Sequence, residues 1–99
     1  MLHILRHSPG SETRFASCLR GLGPQQSLLL LEDAVYGLLS RSRTLASLQI
    51  LPGSVRLYAI EADVLARGIA LDDLPERLKL IDYPAMVQLC VYHSKVVSW

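Results

Sequence analysis

A chain of 99 residues has room for one domain, here read as spanning 1–99, because a shorter stretch cannot bury enough apolar surface to offset the entropy of ordering its backbone. Ten lysines and arginines against nine carboxylates leave a formal charge of +1, which excludes a general electrostatic attraction to nucleic acid or to an anionic membrane. Hydrophobic residues make up 51% of the chain, so a domain this small must expose some of them; exposed apolar patches mark protein contacts, and work inside an assembly is expected.

Met1-Leu2-His3-Ile4-Leu5-Arg6 lacks the basic region, long apolar core and small-residue cleavage site of a secretion signal, and residues 2–5 read as a first strand. Ser8-Pro9 offers an N-cap and a first-turn proline, after which Phe15, Cys18, Leu19 and Leu22 share one helical stripe. Gly21, Gly23 and Pro24 stop that helix, and residues 27–31 form a second strand. Its apolar run is far too short to span a bilayer. Asp33 is placed to cap a second helix carrying Val35, Leu38 and Leu39, and Arg41-Ser42-Arg43-Thr44 breaks the pattern before a short helical stretch over 45–48. Pro52-Gly53 turns the chain into a third strand over 55–60. A short helix over 62–67 follows, with Gly68 where a left-handed residue ends it. Residues 72–77 are a polar connection to a fourth strand over 78–81. Pro84 opens a helix whose Met86, Val87, Cys90 and Val91 form one face, and residues 95–98 close the sheet. Short apolar runs alternating with amphipathic segments predict an α/β fold of βα units around a five-stranded parallel sheet.

In such sheets the ligand crevice lies at the carboxyl ends of the strands. That edge carries Arg6, His7 and Ser8, then Glu32 and Asp33, then Glu61 and Asp63, then Asp82 and Tyr83, and finally Trp99. Carboxylates at helix N-termini repel phosphate, and no GxGxxG follows a strand and no GxxxxGK[ST] exists, so no nucleotide is expected there. Receiver domains hold Mg²⁺ with grouped acids, but their lysine and phosphoacceptor loop are missing. The bland account is that Asp33, Asp63 and Asp82 cap helices or complement their dipoles. His3, His7 and His93 lie on different elements without metal-ligand spacing, so neither a metal nor another cofactor is expected. Ser8 has no base at recognisable spacing.

A thiolate is the strong nucleophile left to this composition. Cys18 and Cys90 form no CxxC pair and read as cytosolic thiols, placing the chain in the cytoplasm. Cys18 lies inside the first helix, away from its positive end, though Arg14 precedes it by one turn; spacing makes it a core or interface thiol. Cys90 reads as a small core residue.

Several pieces in order resemble one family: Met1-Leu2-His3-Ile4-Leu5-Arg6-His7-Ser8-Pro9, residues 28–36 reading LLLLEDAVY, Leu57-Tyr58-Ala59 with Asp63 and Ala66-Arg67-Gly68, Ile81-Asp82-Tyr83, and Trp99. The chain resembles, along its whole length, the TusB/DsrH family, the small subunits of DsrE/DsrF/DsrH-type sulfur-relay complexes. The resemblance implies a flavodoxin-like three-layer domain in a heterohexamer with TusC-like and TusD-like subunits, two copies of each. It also implies sulfur received from a TusA-like carrier and passed through a TusE-like carrier to the 2-thio group of the tRNA wobble uridine. The alternative is a sulfur-oxidation complex in which Cys18 takes part in persulfide transfer. In this superfamily the persulfide cysteine belongs to the D or DsrE subunit, and Ile60-Glu61-Ala62-Asp63 at the matching edge has no cysteine, so a non-catalytic subunit is implied. Some DsrH-like members carry a cysteine on the first helix. Cys18 stands there, which makes it the candidate persulfide thiol.

Overall fold

Leucine and isoleucine fill consecutive positions of the central strands because both sheet faces are covered, and every residue of β1 (Leu2–Leu5) and β2 (Ser27–Leu30) is buried. The computed structural model describes residues 1–10 and 13–99. With β3 (Arg56–Ile60), β4 (Leu78–Ile81) and β5 (Val96–Ser98), these strands form one parallel sheet in the order β4-β3-β2-β1-β5. The expected α/β class and five parallel strands hold. The sheet grows by adjacent steps from β1 to β4, unlike the 2-1-3-4-5 order of flavodoxin itself.

Strand order decides which face each helix covers. The first three connections step the same way across the sheet, and right-handed crossovers put all of them on one face. There α1 (Arg14–Gly21), a 3₁₀ helix (Glu32–Leu38), α2 (Arg43–Gln49) and α3 (Glu61–Ala66) build the larger core, with Phe15, Cys18, Val35, Leu38, Leu48 and Val64 packed on Leu5, Leu28, Leu30 and Leu57. The last connection returns from β4 to β5 at the opposite edge. Its helix, α4 (Tyr83–Tyr92), alone covers the other face, where Ala85, Met86, Leu89 and Cys90 pack against Leu2, Ile4, Leu29, Leu31, Ile60 and Ile81.

Three local expectations are corrected. Ser8-Pro9 does not start α1: Pro9 and Gly10 make a turn, glycine costs a helix interior about 1 kcal/mol, and the helix begins at Arg14 after Thr13. Asp33 does not cap its helix; Leu31 holds the cap position, and the segment winds as 3₁₀ with Leu39 outside it and 45% exposed. Gly37 in that segment is required by close approach, since a Cβ there would lie 2.9 Å from both the Phe15 ring and the Thr44 methyl. Within the stretch that breaks the pattern, Ser42 accepts from the Leu45 amide at 3.0 Å and caps α2. On α4 the predicted face is half right: Met86 and Cys90 pack inward, whereas Val87 and Val91 are 56% and 81% exposed. Gly68 has the expected left-handed backbone, at φ +68°.

Candidate functional site

Ligands of α/β sheets sit where successive connections leave for opposite faces. Here that point lies between β3 and β4, because α3 goes to one face and α4 to the other. A hydrogen bond spans the gap: the Tyr83 hydroxyl donates to both Asp63 carboxylate oxygens, at 3.3 and 3.4 Å. Asp63 also accepts from the Glu32 amide at 2.8 Å, which holds Glu32 at φ +51°, a left-handed conformation uncommon for a residue with a side chain. The ends of β2, β3 and β4 are thereby tied together.

Arg67 completes the cluster. It donates to Asp33 through Nε at 3.1 Å and Nη2 at 2.9 Å, sits 3.8 Å from Asp63, and lies 5.9 Å over the Tyr36 ring. The hydrogen bond to Asp33 leads the causes that raise the Arg67 pKa, with the Asp63 charge adding to it. The Tyr83 pKa is raised by burial first, then by the charge and hydrogen bond of Asp63. At neutral pH Tyr83 is therefore a hydrogen-bond donor, not a nucleophile. Sequence reasoning put Asp33, Asp63 and Tyr83 at this edge but missed Arg67 and Tyr36 as their partners; the i,i+4 spacing of Asp63 and Arg67 on a helix was the available signal.

The remaining edge residues separate. Asp82 is the N-cap of α4, accepting from the Ala85 amide at 2.9 Å, as the bland account has it. Glu61 is exposed in the first turn of α3, and Arg6 is exposed beyond β1. His7 Nε2 accepts from Arg14 at 2.8 Å, and Ser8 lies beside it in the chain. Trp99 stands apart: its indole turns onto the α1 side and donates from Nε1 to His3 Nδ1 at 3.1 Å. That bond leaves the His3 proton on Nε2, which donates to Gln26 at 2.7 Å, so a buried neutral imidazole links the β1 and β5 side of the sheet to the turn before β2.

Cys18 is fully buried in the larger core, and burial pushes its thiol up to about 12. At neutral pH roughly one molecule in 10⁵ would carry the thiolate, against a few per cent for an ordinary cysteine. Cys90 is half-buried against the second core. Among the described residues no group of three or more histidine, cysteine or carboxylate side chains is placed to hold a metal, and no helix is long and apolar enough to cross a membrane. This edge can bind through hydrogen bonds and charge, and among the described residues it holds no thiolate or other activated nucleophile.

A family model described as DsrH like protein matches residues 7–96. Over all 99 residues, with both chains wholly covered, the sequence is 38% identical to Protein TusB of Escherichia coli strain K12 and 39% identical to Protein TusB of Shigella flexneri. Of solved structures, the ychN protein from E. coli superposes with a TM-score of 0.83 at 19% identity, over 99% of this chain and 97% of that one, which speaks for the fold. With the family model spanning nearly the whole domain and relatives of this identity running end to end, the chain belongs to the DsrH-like family.

Proposed function

We propose that the chain is a non-catalytic subunit of a TusBCD-like sulfur relay serving 2-thiolation of the tRNA wobble uridine, assembled with TusC-like and TusD-like subunits, two copies of each. TusA-like and TusE-like carriers deliver and collect sulfur through the assembly, and the chain itself contacts neither nucleic acid nor membrane. The full-length likeness to TusB supports the tRNA pathway over sulfur oxidation. The observation that carries the subunit role is that Cys18 is sealed in the core as a neutral thiol, with no cysteine at the strand ends among the described residues. Persulfide transfer needs a thiolate to attack, so that thiolate belongs to a neighbouring chain. Exposed Val91, Ile50 and Leu65 support burial against partners.

The test mixes the chain with its TusC-like and TusD-like partners and reads assembly by native mass spectrometry and transfer by labelled sulfane sulfur. A heterohexamer in which label appears on the TusD-like cysteine, with transfer unchanged in Cys18→Ala, is the expected outcome. Label on Cys18, or assembly of the partners without this chain, sinks the reading.

A further inference from the structure

At the opposite edge of the sheet, where β2 and β3 begin and α4 ends, lies an open cleft of about 710 Å³ whose lining contains no aspartate or glutamate. Its size is that of small-molecule sites. Ser27 and Arg56 are register partners on adjacent strands, so their side chains leave the same face, and Tyr58 follows Arg56 on that face. Tyr92 and His93 at the end of α4 form the facing wall.

Two features go beyond shape. Ser27 is only 3% exposed, and it lines the cleft. A serine hydroxyl that lines a cavity can donate to an anion held there. Arg56 has no carboxylate partner among the described residues, although the chain is nearly neutral. The His93 pKa is lowered by burial, and the charges of the amino terminus and Arg56 add to the effect, so positive potential gathers here. The carbonyl end of α4 contributes about half a negative charge, which those two cations outweigh.

We propose that this cleft binds a phosphate monoester carried on a planar ring, the Arg56 guanidinium and Ser27 hydroxyl holding the phosphate and the exposed Tyr92 ring stacking on the ring. Guanidinium meets phosphate with paired, charge-assisted hydrogen bonds, and an exposed tyrosine offers a π-face to any base. The carboxylates at the carboxyl ends of the strands stand at the other edge, and Asp72, Asp73 and Glu76, in the connection into β4, do not line the cleft. The site is independent of the subunit role, and either can fail alone.

The experiment titrates the ¹⁵N-labelled full chain, at constant ionic strength, with adenosine 5′-monophosphate, inorganic phosphate and adenosine. Saturable shifts of the Ser27, Ser54, Arg56 and His93 amides are expected with the nucleotide, at least about fivefold weaker with inorganic phosphate for want of stacking. Arg56→Gln is expected to weaken binding at least about tenfold. Ser27→Ala, which fits the same space, weakens it severalfold without lowering the melting temperature, and Arg43→Gln on the far face has no effect. Shifts that never saturate, or equal affinity in Arg56→Gln, overturn the proposal. So does an acidic peptide or an oligoribonucleotide that moves these amides where the mononucleotide does not.

Discussion

Arg77 organises more backbone than any capping residue in the fold. Its guanidinium donates to the carbonyls of Leu48, Gln49, Leu51, Pro52 and Val55 at 2.8 to 3.5 Å, where α2 ends and the chain turns into β3, and those of Leu48 and Pro52 accept from a backbone amide as well. Arg77→Ala is expected to lower stability by about 2 to 4 kcal/mol in urea denaturation, and Arg77→Lys to recover less than half of that, because a point charge cannot span the fork. Nothing in the sequence marks this role: residues 72–77 read as a polar connection, and an arginine reaching across the chain leaves no periodic trace. The carboxylates of the strand edge were legible, since each follows an apolar run. Their partners were less so. A second prediction concerns His93, whose pKa is lowered from 6.5 chiefly by burial. The unfolded chain takes up this proton first as the pH falls, so the stability tied to the neutral ring is present above about pH 6.5 and is lost as the pH drops through the folded value. Melting temperatures measured from about pH 7.5 to about pH 5 are expected to fall less steeply in His93→Gln than in the parent.

Among the elements, β1 and β4 match their predicted bounds: β1 because a parallel strand covered on both faces is a short apolar run with a sharp polar end, and β4, at the sheet edge with Lys79 exposed, because its leucines and isoleucine stand between polar flanks. The segment after β2 was legible as helical but not as 3₁₀. Within it Gly37 lies close against the Phe15 ring, an approach between residues far apart in sequence that local pattern does not reveal. The inner face of α4 was ambiguous for another reason: apolar residues occupy most of its length, so periodicity does not single out one stripe. Met86, Leu89 and Cys90 face the sheet, and Val87 and Val91 face out. Met86→Ala is therefore expected to cost about 1 to 2 kcal/mol, less than a fully buried methionine, while Val91→Ser changes the unfolding midpoint of the isolated chain by no more than about 0.5 kcal/mol. If Val91 lies under a partner in the assembly, the same serine weakens association instead.

For the whole molecule, α/β class and strand count were readable because alternation of runs and stripes fixes them, whereas strand order was not. Every crossover obeys the same handedness, and local pattern does not say at which edge the final strand docks. Docking beside β1 brings the two ends of the sequence together: Trp99 pairs its amide with the Ile4 carbonyl at 2.9 Å and its indole with His3. Trp99→Phe keeps most of the packing but leaves His3 Nδ1 without its donor, and is expected to cost about 1 to 2 kcal/mol at unchanged m-value. Trp99 is also the sole tryptophan, so the fluorescence of the parent reports the moment the sheet closes.

The long return of α4 sets the order in which the molecule can be finished. In residues 1–82 alone the helices of one face can already settle, but Leu2, Ile4, Leu29, Leu31 and Ile60 have nothing to lie against. A chain cut near residue 82 is a sticky half-sandwich, and chaperones would find on it an apolar binding surface that α4 covers in the finished fold.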